Sequence, residues 1–247
     1  MNKIYNINNH LMKYKNNCID YKANPNPLNL PANTIRVKFK SGYTPTMGNT
    51  QTLVDGTNNI WDIYKQSNDW TSLFSGNSNL LEILGANTTS ITKMNNLFRN
   101  CTSLAYIALF DTSNVNIISD MFYGCSSLTT VPLFDTRRAT SMSEMFYQCT
   151  YLTHVPLFDT RNVDNMNNMF YKCSSLTYIP LFNTSKVIGM YRMFYNCTNV
   201  QYGALALYQQ ASSQTTQPSD HSQTFYNCGS NTQTGAAELA QIPNDWK

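Results

Sequence analysis

The apolar positions of this chain return in a fixed frame every 24 residues over more than half of its length. Cys101, Cys125, Cys149, Cys173 and Cys197 keep that spacing, and Phe98, Phe122, Phe146, Phe170 and Phe194 precede them by three positions. The frame reaches back to Phe74, with Asn77 in the cysteine slot, and forward to Phe225 and Cys228 after a seven-residue insertion. Self-similarity at such a period marks stacked units, none of which can bury its apolar face alone, and about seven units with atypical ends are expected.

Within one unit Ala139, Met142, Met145 and Phe146 fall at i, i+3, i+6 and i+7, the spacing of one face of a short helix. Val163, Met166, Met169 and Phe170 repeat it. After each cysteine comes an extended run such as Leu128-Thr129-Thr130-Val131-Pro132-Leu133, whose proline cannot donate to a ladder and so ends a very short strand. Asp111-Thr112, Asp135-Thr136, Asp159-Thr160 and Asn183-Thr184 place side-chain oxygens before the helical segment, where they would accept its first unpaired N–H groups. The pattern predicts a strand and a helix per unit, an α/β repeat whose strands join in a parallel sheet rising ~4.8 Å per unit.

Upstream, Thr34–Lys40 alternates apolar and basic residues as a half-buried strand does, and Asn59–Tyr64 is a second candidate. Residues 31–69 read as a small β-rich cap. Residues 1–30 read as an N-terminal arm with alternating Tyr, Ile and Asn, and Asn24-Pro25-Asn26-Pro27 as a linker. The repeat itself is assigned to residues 70–247.

Composition narrows the chemistry. Hydrophobic residues make up 42% and charged residues 13%, which supports a core but builds the surface from Asn, Ser, Thr, Gln and Tyr. A formal charge of +3 without a Lys/Arg cluster excludes a nucleic-acid binder. The first residues lack a secretory signal, and no stretch approaches the ~18 apolar residues that span a bilayer, so synthesis in the cytoplasm without membrane insertion is expected. Seven cysteines, an odd number in a chain without a signal, read as thiols rather than a disulfide framework.

Asn162-Val163 through Met166, Met169-Phe170, Cys173-Ser174-Ser175-Leu176 and Phe182-Asn183-Thr184 resemble the repeats of BspA-like leucine-rich-repeat surface proteins. The resemblance covers roughly residues 70–247, and it implies a leucine-rich-repeat-like solenoid displayed on an outer surface for adhesion. Gly203-Ala204-Leu205-Ala206-Leu207-Tyr208, Phe225-Tyr226-Asn227-Cys228-Gly229 and the stretch from Thr234 to Pro243 are similar to the group encoded by phages and prophages of gut Bacteroidales. So is Leu30-Pro31 followed by Ile35 to Phe39.

The cysteines advance one per unit in a line and do not offer four ligands around one ion, so a buried structural ladder is expected rather than zinc. One carboxylate per unit, at Asp111, Asp135 and Asp159, does not supply the six to eight oxygens of a calcium site. His10, His154 and His221 lie in three different regions, no catalytic triad is recognisable, and no cofactor motif is present. A candidate binding surface is the column five residues after each cysteine: Tyr106, Thr130, His154, Tyr178 and Tyr202. A second aromatic column, Tyr123, Tyr147, Tyr171 and Tyr195, sits beside the core phenylalanines and serves either for packing between units or for a sugar or protein partner.

The expected function is a non-enzymatic phage virion protein, a fibre, decoration or receptor-contacting module released by lysis. Its expected partners are other virion proteins through the N-terminal region, a host surface glycan or protein, and further copies of itself. A bacterial cell-surface adhesin and an intracellular protein-interaction module are the alternatives.

Overall fold

The computed structural model describes residues 6–7, 10–11, 28–215 and 217–247. The Asn-Pro linker and most of the expected arm, Cys18 included, lie outside the described residues. Two short strands near the start, β1 (Asn6–Ile7) and β2 (His10–Leu11), pair antiparallel.

A five-stranded sheet is built from β3 (Thr34–Phe39), β4 (Thr50–Asp55), β5 (Ile60–Tyr64), β6 (Leu80–Asn87) and β7 (Tyr106–Ile107), in the order β4-β5-β3-β6-β7. The alternation in β3 sends Ile35, Val37 and Phe39 into the core. Arg36 and Lys38 on its other face meet Asp62 of β5 at 2.7 Å and Glu82 of β6 at 3.0 Å. All pairings are antiparallel except β6 with β7, where Glu82 faces Tyr106 and Ile83 faces Ile107. The sheet is therefore continuous across the expected boundary at residue 70, and β6 is shared between the cap and the first units.

From there the units stack in parallel register. Bridges join Asp69 to Lys93, Lys93 to Ile117, Ile117 to Ser141, Ser141 to Asn165, Asn165 to Gly189 and Gly189 to Asp220. In the interior, Phe74, Phe98, Phe122, Phe146, Phe170, Phe194 and Phe225 form a column of near-parallel rings with centroids 5.2–5.9 Å apart. Phe134, Phe158 and Phe182 add a second ring per unit, each 6.0 Å from Phe122, Phe146 or Phe170, twelve residues earlier. Each such side chain contributes about 1.5–3 kcal/mol through burial.

The segments expected to be helices are not helical. The only α-helices among the described residues are α1 (Ala204–Ser212) and α2 (Gln233–Gln241), both near the C-terminus. In the repeats the Met-Phe-Cys segment is a chain of tight turns. Two positions per unit are left-handed: Ser72, Asn96, Asp120, Glu144, Asn168, Arg192 and Gln223 at φ 54–59°, and Gly76, Asn100, Gly124, Gln148, Lys172, Asn196 and Asn227 four residues later. The N–H groups that an α-helix would pair four residues back instead cross to the next unit, Phe98 N to Met121 O and Phe146 N to Met169 O, both at 2.9 Å. Turn spacing and helix spacing both return an apolar residue every three or four positions, which is why the pattern resembled a helix face.

The aspartates act as expected on local N–H groups, within turns rather than at helix starts. Asp111 Oδ1 accepts from Ser113 N at 2.8 Å, and Asn183 does the same for Ser185 at 2.9 Å. The threonine that follows does something else. Thr112, Thr136 and Thr160 are buried, and each hydroxyl donates to the carbonyl of Asp135, Asp159 or Asn183 in the next unit, at 2.9–3.0 Å.

At the N-terminal end Trp70 takes a methionine position, and Asn77, in the cysteine slot, donates to Tyr43 Oη at 3.0 Å. At the other end the chain leaves the 24-residue frame at Gly203, φ +104°, where a Cβ would run into the Ile179 carbonyl. The Glu238 carboxylate on α2 then accepts from Leu205 N at 3.1 Å and secures the start of α1. Trp246 lies 6.3 Å from Phe225 and closes the phenylalanine column.

Candidate functional site

The short extended run after each cysteine positions the first candidate column. Its buried members, Leu104, Leu128, Leu152 and Leu176, anchor the run, and two residues further on the side chains turn outward. Tyr106, Thr130, His154, Tyr178 and Tyr202 are all exposed, the tyrosines at 45%, 49% and 53%. Parallel bridges join Thr130 to His154 and Tyr178 to Tyr202, and Glu82 of β6 pairs with Tyr106. The structure therefore brings all five together on one face.

Beside them runs a column of threonine hydroxyls. Thr153 Oγ1 and Thr177 Oγ1 each donate to the carbonyl of the threonine one unit back, at 3.2 Å. Both hydroxyls also flank the imidazole, His154 Nδ1 lying 3.0 Å from Thr153 Oγ1 and Nε2 3.3 Å from Thr177 Oγ1. Both ring nitrogens of His154 are thus engaged by threonine hydroxyls, which fixes the ring within the row. Leu157 and Leu181 form a further exposed column on the same run, at 51% and 47%.

The second column behaves differently. Tyr123, Tyr147, Tyr171 and Tyr195 stack ring on ring with centroids 4.4, 4.6 and 5.0 Å apart, and Tyr226 extends the stack at 4.6 Å. The 31-residue step from Tyr195 to Tyr226 is the 24-residue period plus the insertion, a signal present in the sequence. The Arg99 guanidinium covers the open face of Tyr123 at 3.7 Å from the ring centre. Inner rings such as Tyr147 have both faces covered, and this column is a packing element. Burial, then the neighbouring Tyr123 and Tyr171, push the Tyr147 hydroxyl up to about 12.

The core set Phe98, Cys101, Phe122, Cys125, Phe146, Cys149, Phe170, Cys173, Phe194 and Cys197 is fully buried. Each of these five thiols donates to the carbonyl of a phenylalanine in the preceding unit, Cys101 to Phe74 and Cys197 to Phe170, both at 3.0 Å. Burial pushes the Cys101 thiol up to about 12 and holds Cys125, Cys173 and Cys228 well above the ordinary thiol range. These are neutral thiols in a dry ladder, without the thiolate character a nucleophile or metal ligand needs. Among the described residues no group of three or more His, Cys, Asp or Glu side chains is placed to hold a metal ion. His221 stacks on Trp246 at 4.3 Å, far along the chain from His154. No described helix is long and apolar enough to cross a membrane.

A buried framework repeated unit by unit beneath a face of changing side chains defines a protein of stacked repeats. The chain belongs to the family described as "Mycoplasma protein of unknown function, DUF285", which matches residues 68–177 and 130–237, together more than half of the chain. That membership accords with the resemblance to BspA-like repeat proteins. No curated protein and no solved structure matches the chain.

Proposed function

We propose that this chain is a non-enzymatic recognition protein, its units forming a leucine-rich-repeat-like solenoid carried on a phage particle as a fibre, decoration or receptor-contacting module. The observation that carries the recognition reading is the exposed row Tyr106, Thr130, His154, Tyr178 and Tyr202, held in register above a core that hardly changes from unit to unit. A non-enzymatic role is supported by how the reactive groups are used: among the described residues the thiols are buried and neutral, and Asp111, Asp135 and Asp159 are engaged in turns.

The place on a virion rests on the resemblance of the C-terminal unit and of Leu30 to Phe39 to phage-encoded chains. In this reading residues 1–30 attach the protein to the particle, through strands added to a neighbour, and several copies act together. Mass spectrometry of purified virions tests the location. Particles carrying Tyr106→Ala, His154→Ala, Tyr178→Ala and Tyr202→Ala together are expected to assemble normally and adsorb poorly; normal adsorption removes the recognition role. The family description, which names a cellular source, favours a second reading: display on a bacterial surface for adhesion. Protease treatment of intact cells releases the protein in that case and spares it in the other.

A further inference from the structure

The charged residues of this protein are segregated away from the face that bears the exposed row. Residues 102–109, 126–133, 150–157, 174–181 and 198–202, which form that face over five successive units, contain no Lys, Arg, Asp or Glu, although such residues make up 13% of the chain. The turns of the same units carry Arg99, Asp120, Glu144, Lys172 and Arg192. At the N-terminal edge, Glu82 is neutralised by Lys38. What the face offers is tyrosine rings and leucine side chains alternating with threonine hydroxyls, a glutamine amide and one imidazole.

We propose that this face binds a neutral polysaccharide laid along the ladder, crossing the units from Tyr106 to Tyr202. The inference rests on the recognition reading above and names its ligand. Three features select this class of partner. A ligand with fixed charge would find no counter-charge on this face and would lose hydration without compensation. A sugar ring presents an apolar C–H face and a rim of hydroxyls, which matches a ring or leucine beside a hydroxyl in each unit. Periodicity selects further. Positions on the face recur every ~4.8 Å, the spacing between neighbouring strands, which suits a chain whose monomers themselves recur at short, even intervals. An extended peptide repeats its same-face side chains at about 6.6 Å, twice the rise per residue, and falls out of step within two units.

The network around His154 prepares the site. Thr153 and Thr177 engage the two ring nitrogens of His154 and hold the ring in place within the row. The alternative occupant, a protein surface, has no such repeat to match.

The test uses the full chain, titrated with soluble mannan, xylan and laminarin as neutral probes and polygalacturonate as an anionic one. At least one neutral polysaccharide is expected to bind, to stay bound in ~1 M salt where exposed ion pairs are screened, and to lose at least about tenfold in affinity in the Tyr178→Ala/Tyr202→Ala variant. With oligomers of the bound sugar, affinity should climb with length and level off once the oligomer spans Tyr106 to Tyr202. Circular dichroism and thermal unfolding of the variant, expected unchanged, separate lost binding from lost folding. Failure of every neutral probe, salt-sensitive binding of polygalacturonate alone, or binding indifferent to the double variant overturns the proposal. If neutral probes fail while the fourfold variant still abolishes adsorption, and protease treatment of host cells does the same, the partner is a protein and the recognition reading stands. If the fourfold variant adsorbs normally, both fall.

Discussion

The thiol of Cys149 donates to the main-chain carbonyl of Phe122 in the preceding unit, 3.1 Å away. The same carbonyl accepts Cys125 N, also at 3.1 Å, so both of its lone pairs are used. One cysteine per unit thereby ties its own turn to the turn before it, within a fully buried slot.

Replacing Cys149 with Ala leaves the Phe122 carbonyl one of its two partners and opens a small void, so the loss is modest, about 1–2 kcal/mol. Cys149→Leu costs a similar amount through overpacking. Urea unfolding should show a lower midpoint for both variants with the slope unchanged.

The raised thiols make stability fall in alkali. Cys101 titrates from an ordinary value of 9.0 to about 12 in the folded chain, because burial penalises the thiolate. Between those values the unfolded chain has lost the proton that the folded chain retains, so stability decreases with each step in pH. The contribution is complete below pH 9 and gone above about 12. The other buried thiols shift in the same direction and steepen the slope. Thermal melts from pH 8 upward should show a falling Tm beginning near 9. A flat profile contradicts burial of neutral thiols.

Gln148 distinguishes turns from helix. It sits at φ 56°, in the column that Gly124 occupies one unit earlier. A left-handed residue with a side chain costs roughly 1–2 kcal/mol relative to its ordinary conformation, so Gln148→Gly should raise stability by up to about 1 kcal/mol and Gln148→Val should lower it by more. In a helix interior glycine would instead cost about 0.5–1 kcal/mol. Denaturation of the two variants decides by sign alone.

That column also shows how far the sequence could be read. The register of the units was legible because Phe and Cys are confined to fixed slots by volume, and β3 and β5 were legible because alternation leaves one apolar face. The turns were not recognised, since Met142, Met145 and Phe146 satisfy helix spacing equally well. The discriminating signal lay between them, where Gly76, Asn100, Gly124, Asn196 and Asn227 recur at the second left-handed position, residue types that tolerate that conformation. It was obscured by Gln148 and Lys172, which occupy the same position with no such preference. β4, with Leu53 and Val54 exposed, carries no alternation and gave no strand signal. Of the candidate site, the five-residue row followed from the period, whereas the Thr153 and Thr177 hydrogen bonds to His154 depend on side-chain direction, which spacing does not encode.

Two tyrosines one unit-step apart in kind, Tyr147 and Tyr178, should separate scaffold from surface. Tyr147 lies between Tyr123 and Tyr171 with ring centres 4.4 and 4.6 Å away, so its removal uncovers two neighbouring faces and breaks a continuous stack. Tyr147→Ala should cost about 1–3 kcal/mol, from lost burial and lost ring–ring contact. Tyr178 is 49% exposed and bridged only through its backbone to Tyr202, so Tyr178→Ala should change stability by no more than about 0.5 kcal/mol. Because neighbouring units share the stack, the loss at Tyr147 should also spread: hydrogen exchange should quicken at the amides that cross to adjacent units, Gly124 N to Tyr147 O and Gln148 N to Tyr171 O, at 2.7 and 2.8 Å. The same amides should be unaffected in Tyr178→Ala. Equal destabilisation by the two substitutions would mean that the exposed row carries the fold as well, and a surface that carries the fold is not free to change with its ligand.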